Sequence, residues 1–518
     1  MSEPAWWQRG AIYQIYPRSF ADSNGDGIGD LPGILSHLDY LSELGVEAVW
    51  LSPIYPSPMA DFGYDVADYR DVDPIFGTLA DLDALVEDCH GRGIKVVLDW
   101  VPNHTSDQHP WFVASRSSRH DPKRDWYVWR DGAPDGGPPN NWRSSFVAVG
   151  PAWTFDETTG QWYLHSFEAE QPDLNWDNPE VEAAMHDVLR FWLERGIDGF
   201  RIDVVHKLSK DPALGDNVPG ERAHHEDWDL IHDRIRGIRR VVDEYPDRML
   251  VGEVYLLDIR RVVSYVQGGD QLHLAHNFVF VKLPWSAKAF RAAIDDFDAL
   301  ADAASWPAWF LANHDNPRVA SRFDTAGQGP ARARAVALML YALRGTPFVF
   351  QGEELGLPDA EIPPDRIVDV DGRDPERAPI PWVPPSVAGP GAGFTTGEPW
   401  LPLVADAEHL CVERQAADPR STLAFVRRLA ELRATLPVLQ GGAQVTLDAG
   451  TDVLAWRRDD GDARVVAAVN FATTAAPLAV ELTDASVLVS TDPDRTLGSV
   501  GTAAVVLGPS EGLLLRLS

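Results

Sequence analysis

From Ala11 onward the chain alternates short runs rich in β-branched and aromatic residues with amphipathic stretches of helical period, and it does so eight times. Such alternation calls for parallel strands joined by helical crossovers, and eight units close into a barrel. The spacing predicts strands near residues 12–16, 48–52, 96–101, 199–204, 250–254, 274–278, 309–313 and 348–350. Helices are expected near 31–44, 79–92, 179–195, 227–243, 259–267, 288–303 and 332–343, with a further helical run at 421–433. At 518 residues the chain exceeds a single core, so other domains should accompany the barrel.

Two stretches break the alternation. After the third strand the pattern gives way to Pro, Gly, Trp and Asn, including Asp135-Gly136-Gly137-Pro138-Pro139-Asn140. A structureless loop of that length would be unusual, so residues 104–176 read as a small inserted domain over the barrel mouth, forming one wall of a pocket. A second Pro/Gly-rich stretch follows the eighth strand, from Ile362 to about Pro402. From about Gly441 the period changes to two, as in Val453-Leu454-Ala455-Trp456 and Val465-Val466-Ala467-Ala468-Val469. The expected fold is therefore α/β: a (β/α)8 TIM barrel from residues 1–103 and 177–435, an inserted domain at 104–176, and a C-terminal all-β domain at 441–518.

Four of the predicted strands run into polar tips: Asp99-Trp100-Val101-Pro102-Asn103-His104, Gly199-Phe200-Arg201-Ile202-Asp203, Gly252-Glu253-Val254 and Phe310-Leu311-Ala312-Asn313-His314-Asp315. On one parallel barrel these tips converge at the end where such barrels keep their active sites. Two carboxylates and a third acid in one pocket suit the breaking of a glycosidic bond, in which one carboxylate attacks the sugar and another protonates the leaving oxygen.

Composition removes other classes. With 78 acidic against 45 basic residues and a net charge of −33, the chain lacks the cationic surplus that nucleic-acid binding requires. A neutral ligand or a cation fits better, and the charge itself serves solubility or a salt-adapted surface. Two cysteines cannot form a disulfide framework, and Cys89 continues the helical stripe of Leu82, Leu85 and Val86 as a core thiol. The segment Met1-Ser2-Glu3-Pro4-Ala5-Trp6-Trp7 has no basic region followed by an apolar stretch, and no run reaches about 18 uncharged apolar residues. A soluble, cytoplasmic protein with no membrane partner is expected.

Together with Gln171-Pro172-Asp173-Leu174-Asn175-Trp176, the four strand tips form an ordered set that resembles the α-amylase family of glycoside hydrolases over about the first 435 residues. Within it, the oligo-1,6-glucosidase and α-glucosidase group is most similar. The resemblance implies that Asp203 is the nucleophile of a covalent glycosyl-enzyme intermediate and that Glu253 is the general acid and then the base. Asp315, the third acid, would bind sugar hydroxyls and help distort the ring. Retaining chemistry of this kind needs paired carboxyls about 5–5.5 Å apart. Arg201, two residues before Asp203 on the same strand, faces the same way and can orient it.

By the same resemblance, His104 and His314 bind hydroxyls of the sugar being cleaved, and Asp61 and Tyr64 bind and stack on the terminal glucose. Phe146 and Phe167 match apolar walls of that subsite, although Phe146 fits the core of the inserted domain as well, and Arg373 matches a substrate-binding arginine. Aromatic faces pack against sugar C–H groups while polar rims handle the hydroxyls.

A separate constellation, Asp22-Ser23-Asn24-Gly25-Asp26-Gly27-Ile28-Gly29-Asp30, sets oxygen-bearing residues at alternate positions with glycines between, as calcium loops do. Gly33 stands where an EF-hand would have its bidentate Glu, which argues against that motif. The resemblance implies a structural metal loop with Asp22, Asn24, Asp26 and Asp30 as side-chain ligands and the carbonyl of Ile28. Calcium is preferred, with magnesium second, and a metal-free Asx-turn loop is the alternative.

After Asp203 the chain reads Val204-Val205-His206-Lys207, where many amylases have Lys before His, a departure that points away from long endo-type substrates. Val204 resembles a valine associated with α-1,6 preference. The expectation is a retaining, exo-acting α-glucosidase that removes terminal non-reducing glucose from short oligosaccharides or α-glucosides, with no organic cofactor, as a monomer or homodimer. A transglucosylase or sucrose-acting enzyme would use the same residues. A more remote alternative is a non-catalytic relative, such as the ectodomains that accompany amino-acid transporters, but those carry a membrane span and have lost the acids.

Overall fold

A computed structural model describes residues 3–482, 484–500 and 505–517. Met1 and Ser2 of the N-terminal reading, and residues 483, 501–504 and 518 of the expected C-terminal domain, lie outside the described residues. The barrel strands are β1 (Ile12–Ile15), β2 (Ala48–Leu51), β3 (Lys95–Trp100), β4 (Gly199–Ile202), β5 (Met249–Val254), β6 (Leu274–Asn277), β7 (Ala308–Trp309) and β8 (Thr346–Phe350). Each pairs in parallel with its chain neighbour, and β8 closes on β1.

Each strand carries two rows of side chains, as its period of two requires. The outward row, including Tyr13, Ile15, Val49, Leu51, Val96, Leu98, Phe200 and Leu250, belongs to the main core beneath the helices. The inward row is apolar where the strands begin, at Ile12, Ala48, Val97, Met249, Leu274 and Phe348. Two to four residues on, the same row turns polar at Gln14, Asp99, Arg201, Glu253 and His276, all buried. This switch along one face puts the chemistry at the C-terminal end of the barrel.

The crossover helices begin where the sequence supplies caps. Thr78 accepts from the Asp81 amide and starts Leu79–Gly91, which buries Leu82, Leu85, Val86 and Cys89. Asn178 followed by Pro179 starts Pro179–Glu194. Both cysteines are free and buried, and burial pushes the Cys89 thiol up to about 12, as befits a core thiol.

The helices read over 227–243 and 259–267 are the shorter Ile231–Val242 and Ile259–Ser264, and two further elements differ. The helix read over 31–44 is two helices, Leu31–Leu35 and Leu38–Leu44, because Ser36 Oγ (2.7 Å) and His37 Nδ1 (2.9 Å) both reach the Gly33 carbonyl and compete with the helical ladder. The seventh strand is only Ala308–Trp309 and not 309–313. Its last residue pairs opposite Pro347, which has no N–H to extend the ladder, and Asn313 then closes a turn by accepting from the Asp315 amide at 3.0 Å.

Residues between β3 and Pro179 fold as a helix, Pro110–Ser117, and a three-stranded antiparallel sheet of Trp129–Arg130, Gln161–Leu164 and Trp153–Asp156. Trp142, Ala152, Trp153 and Leu164 give it a small core of its own. Past the barrel, Ala443–Leu447, Val453–Asp459, Arg464–Asn470, Gly512–Leu517, Ser486–Ser490 and Gly498–Ser499 form a six-stranded sheet whose resolved pairings are antiparallel. Three of its strands alternate: Leu454, Trp456, Val465, Ala467 and Leu514 join the barrel's core, while Val453, Ala455, Val466, Leu513 and Leu515 face the opposite way. Among the described residues, no helix is long and apolar enough to cross a membrane.

Candidate active site

A cavity of about 710 Å³ opens at the C-terminal end of the barrel. Of the residues singled out in the sequence, Asp61, Tyr64, His104, Phe146, Phe167, Asp203, Glu253, Asp315 and Arg373 line it. Arg201 and His314 lie directly behind that surface, each hydrogen-bonded to a lining residue.

Register brings the two principal acids together. Asp99 of β3 pairs with Arg201 of β4, and Ile202 with Gly252 of β5, so the next residues, Asp203 and Glu253, fall side by side. The Asp203 amide continues the ladder by donating to the Trp100 carbonyl at 2.9 Å. Directly after it, Val204 turns back with φ of 34°, a left-handed conformation that a β-branched residue rarely adopts. That turn aims the Val204 N–H at Glu253 Oε2, 3.1 Å away.

Arg201 bridges three carboxylates. Its Nη1 donates to Asp99 Oδ1 and Asp203 Oδ1, both at 2.8 Å, and its Nη2 donates to Glu253 Oε2. Among the described residues no donor reaches Asp203 Oδ2 or Glu253 Oε1, so each acid is held by one oxygen and free at the other. Burial, and then the charges of Glu253 and Asp99, push the Asp203 carboxyl well above the usual range, against the downward pull of Arg201. One guanidinium thus faces three buried carboxylates.

Opposite this group, Arg373 donates to Asp61 Oδ1 at 2.7 Å, Asp315 Oδ1 at 3.1 Å and Asp369 Oδ1 at 2.6 Å. Arg377 adds a second cation 2.9 Å from the same Asp315 oxygen. Burial alone would raise the Asp315 carboxyl, but His314, Arg373 and Arg377 hold it well below the usual range. His314 is set by Gln14 (2.7 Å to Nδ1) and by the Tyr64 hydroxyl (2.7 Å to Nε2), and the Tyr64 ring lies parallel to it at 5.3 Å.

His104 takes a hydrogen bond from Asn103 at Nδ1 (3.1 Å) and donates from Nε2 to the Tyr64 carbonyl (3.1 Å). Burial lowers it to about 4, so the ring is neutral near pH 7. Phe167 lies 5.2 Å from the His104 ring and 5.3 Å from Phe146, over which the Arg373 guanidinium sits at 4.7 Å. Phe146 therefore lines the cavity, and the small core of the inserted segment is made by other residues.

Several participants carried no role in the sequence reading. Asp99 stood in a quoted segment, and its period-two partnership with Val97 could have placed it in the barrel. Asp369 and Arg377 brace Arg373 and Asp315 from a loop, where only the spacing of Arg373 and Arg377 hinted at a pair. Gln171 and Asp173 work at the root of the inserted segment: Gln171 donates to Asp61 Oδ2 at 3.1 Å, and Asp173 pairs with Lys210 at 2.9 Å.

The loop of residues 22–30 stands apart from the cavity. Asp22 Oδ1 accepts from the Asn24 and Gly25 amides (2.9 and 2.7 Å), Asn24 Oδ1 from the Asp26 amide (2.9 Å), and Asp26 Oδ1 from the Ile28 amide (2.9 Å). Asp30 Oδ1 caps the following helix through the Gly33 amide. The donors are all oxygens, which fits a hard cation, but among the described residues no three His, Cys, Asp or Glu side chains converge as a ligand set.

The family model for the α-amylase catalytic domain matches residues 14–442. A probable α-glucosidase of Rhizobium meliloti is 42% identical, the match covering 91% of this chain and 90% of that one. An oligo-1,6-glucosidase of Parageobacillus thermoglucosidasius is 37% identical over 90% of this chain and 91% of its own. Among solved structures, an α-glucosyl transfer enzyme, XgtA, superposes with a TM-score of 0.90 at 38% identity, covering all of both chains.

Proposed function

The chain belongs to the α-amylase family of glycoside hydrolases, and from that membership we propose that it is a retaining, exo-acting α-glucosidase that releases terminal non-reducing glucose from short oligosaccharides or α-glucosides. The observation that carries the reading is the grip of Arg201 on one oxygen of Asp203 and one of Glu253, which leaves the other oxygen of each acid free toward the cavity. In the first step Asp203 Oδ2 bonds to the anomeric carbon as the glycosidic bond breaks, and the proton of Glu253 passes to the leaving oxygen. In the second, Glu253 takes a proton from water, whose oxygen bonds to the anomeric carbon and frees Asp203.

Asp315, His104, His314, Asp61, Arg373 and Tyr64 are the proposed holders of the glucose. The Arg373 brace between Asp61, Asp315 and Asp369 supports exo action, because it closes the glucose end where a longer chain would continue. Product analysis by NMR on isomaltose, maltose and nitrophenyl α-glucoside tests the reading. α-Glucose as the first anomer is expected, and β-glucose would overturn retention.

Glucosyl transfer to a sugar or alcohol is the second reading, favoured by the half-exposed apolar residues Tyr255 and Leu257 just past Glu253, which suit an acceptor better than water. Transfer product exceeding released glucose at modest acceptor concentration would select it. The loop of residues 22–30 is proposed to bind calcium, with magnesium as substitute, through Asp22, Asn24, Asp26, Asp30 and the Ile28 carbonyl. A rise in melting temperature with calcium that chelator reverses is expected, and no change would remove the metal. Two unpaired thiols suit a reducing compartment, and a cytoplasmic site of action is part of the proposal.

A further inference from the structure

We propose that Glu226 is the specificity-determining carboxylate of the leaving-group side, accepting hydroxyl hydrogen bonds from a second, uncharged sugar ring. The inference rests on the glucosidase reading and adds to it the chemistry of the leaving group. Glu226 lies in the irregular segment between β4 and the helix Ile231–Val242, and its side chain lines the cavity.

Two observations place it on the side of the acid. His206, buried three residues after Asp203, donates from Nδ1 to the main-chain carbonyl of Glu253 at 3.2 Å, and its Nε2 stands 3.7 Å from Glu226 Oε2. Lys207 Nζ donates to that same Oε2 at 2.9 Å, and His225 Nε2 lies 3.6 Å from it. The Lys207 and His206 side chains are 5% and 1% exposed, whereas that of Glu226 is 20% exposed.

Lys207 thus anchors one oxygen of Glu226, with the His206 and His225 rings packed beside it, and among the described residues no donor reaches Oε1. Asp203 and Glu253 have the same construction, one oxygen anchored and the other free. A carboxylate serving only as the partner of a buried lysine gains nothing from exposure to the cavity. Here the buried lysine is the anchor, and the more accessible carboxylate is the acceptor.

The charge balance selects the ligand class. Burial lowers His206 and brings His225 down to about 4, so both rings are neutral near pH 7. Against the upward push of burial, the charge and hydrogen bond of Lys207 hold Glu226 below the usual range, and it is ionised. The four groups carry one positive and one negative charge. The nearby Arg261 is paired with Asp227, which leaves it unavailable to an anion. A phosphorylated or carboxylated leaving group would meet the Glu226 charge, whereas a neutral polyol offers the hydroxyl donors that Oε1 lacks.

The test compares kcat/KM of wild type and Glu226→Gln on isomaltose, maltose and 4-nitrophenyl α-glucoside. Loss of a hydrogen bond to a charged acceptor lowers the disaccharide-to-aryl ratio by about 10- to 100-fold. A ratio that does not move, with glucose still released, overturns this inference and leaves the glucosidase reading intact; no glucose from any of the three overturns both. Should Glu226→Gln fail to fold, the wild-type enzyme decides alone. Given an α-glucosyl-glucose and the same disaccharide phosphorylated on its leaving sugar, it should cleave the neutral one at least about tenfold faster. Preference for the phosphorylated substrate overturns the inference.

Discussion

Arg201, 1% exposed, gives its single charge to three acids, and such a buried cluster persists only when every member is hydrogen-bonded. Removing a carboxylate from it therefore tests role and packing together, and amide replacements, which keep the shape, separate them. Asp203→Asn is expected to lower kcat on any α-glucoside by about 10⁴-fold or more, since no other group can bond to the anomeric carbon. Glu253→Gln should cost about 10²–10⁴-fold on isomaltose and much less on nitrophenyl α-glucoside, whose leaving group departs without a proton. Equal losses on the two substrates would remove Glu253 from the acid role. Glu376, beside Arg377, gives a stability prediction: burial, with Asp359 adding to it, pushes its carboxyl up to about 8 from the ordinary 4.5. The folded state then binds more protons than the unfolded between those values, so this residue's contribution falls as pH rises from about 4.5 to 8. Melting curves at pH 6 and pH 8 should show that Glu376→Gln removes part of the alkaline loss, and an unchanged slope would refute it. The strand-end residues were legible in sequence because a period of two fixes which side chains share a face. Asp369, Arg377 and Glu226 were not, since each sits in a loop whose path no period encodes.

At the scale of elements, Gly252 of β5 is closely enclosed by side chains. A Cβ on Gly252 would come within 2.8 Å of Val205 Cγ1 and 2.4 Å of Leu272 Cδ1. Val205 follows the strained Val204, so pressure there is transmitted to the turn that aims the Val204 amide at Glu253. Gly252→Ala is expected to lower kcat on isomaltose by about tenfold or more, at a stability cost of about 1–3 kcal/mol for the overpacking. Activity at the wild-type level, with the melting temperature lowered, would show that Leu272 alone yields. The alternation of strands and helices made eight units readable, and seven of the eight strands lie within two residues of their expected bounds at both ends. The split of the helix after Leu35 and the stop of β7 after Trp309 were harder, because side-chain competition for the Gly33 carbonyl and the placement of Pro347 opposite Trp309 are tertiary facts.

Across the whole molecule, two forces of opposite reach act on the same fold. At the base of the barrel, the carbonyls that end the helix Gly329–Ala342 are taken by buried arginines: Arg433 donates to Tyr341 O at 2.8 Å and Arg458 to Ala342 O at 3.2 Å, and Arg458 also reaches Leu439 O of the helix Pro437–Gly441 at 3.1 Å. Arg458 belongs to the C-terminal sheet, so this contact fastens that sheet to the barrel. Arg458→Met should destabilise by about 2–4 kcal/mol through the orphaned carbonyls while leaving kcat/KM at 25 °C unchanged. Loss of activity without loss of stability would show that the sheet shapes the site. Against such local contacts stands the net charge of −33, whose self-repulsion extends over the whole surface. Exposed pairs such as Arg190–Glu244, at 2.7 Å, are each worth at most about 1 kcal/mol and weaken with salt. The excess of acids is long-ranged, so salt should relieve more repulsion than it removes attraction. Raising salt from about 10 mM to 150 mM shortens the screening length from about 30 to 8 Å, and the melting temperature is expected to rise by a few degrees. Sodium and choline chloride should act alike, since screening depends on ionic strength and not on the ion. A further rise specific to millimolar calcium would belong to the loop of residues 22–30, and a fall in either monovalent salt would mean that the local ion pairs outweigh the global charge.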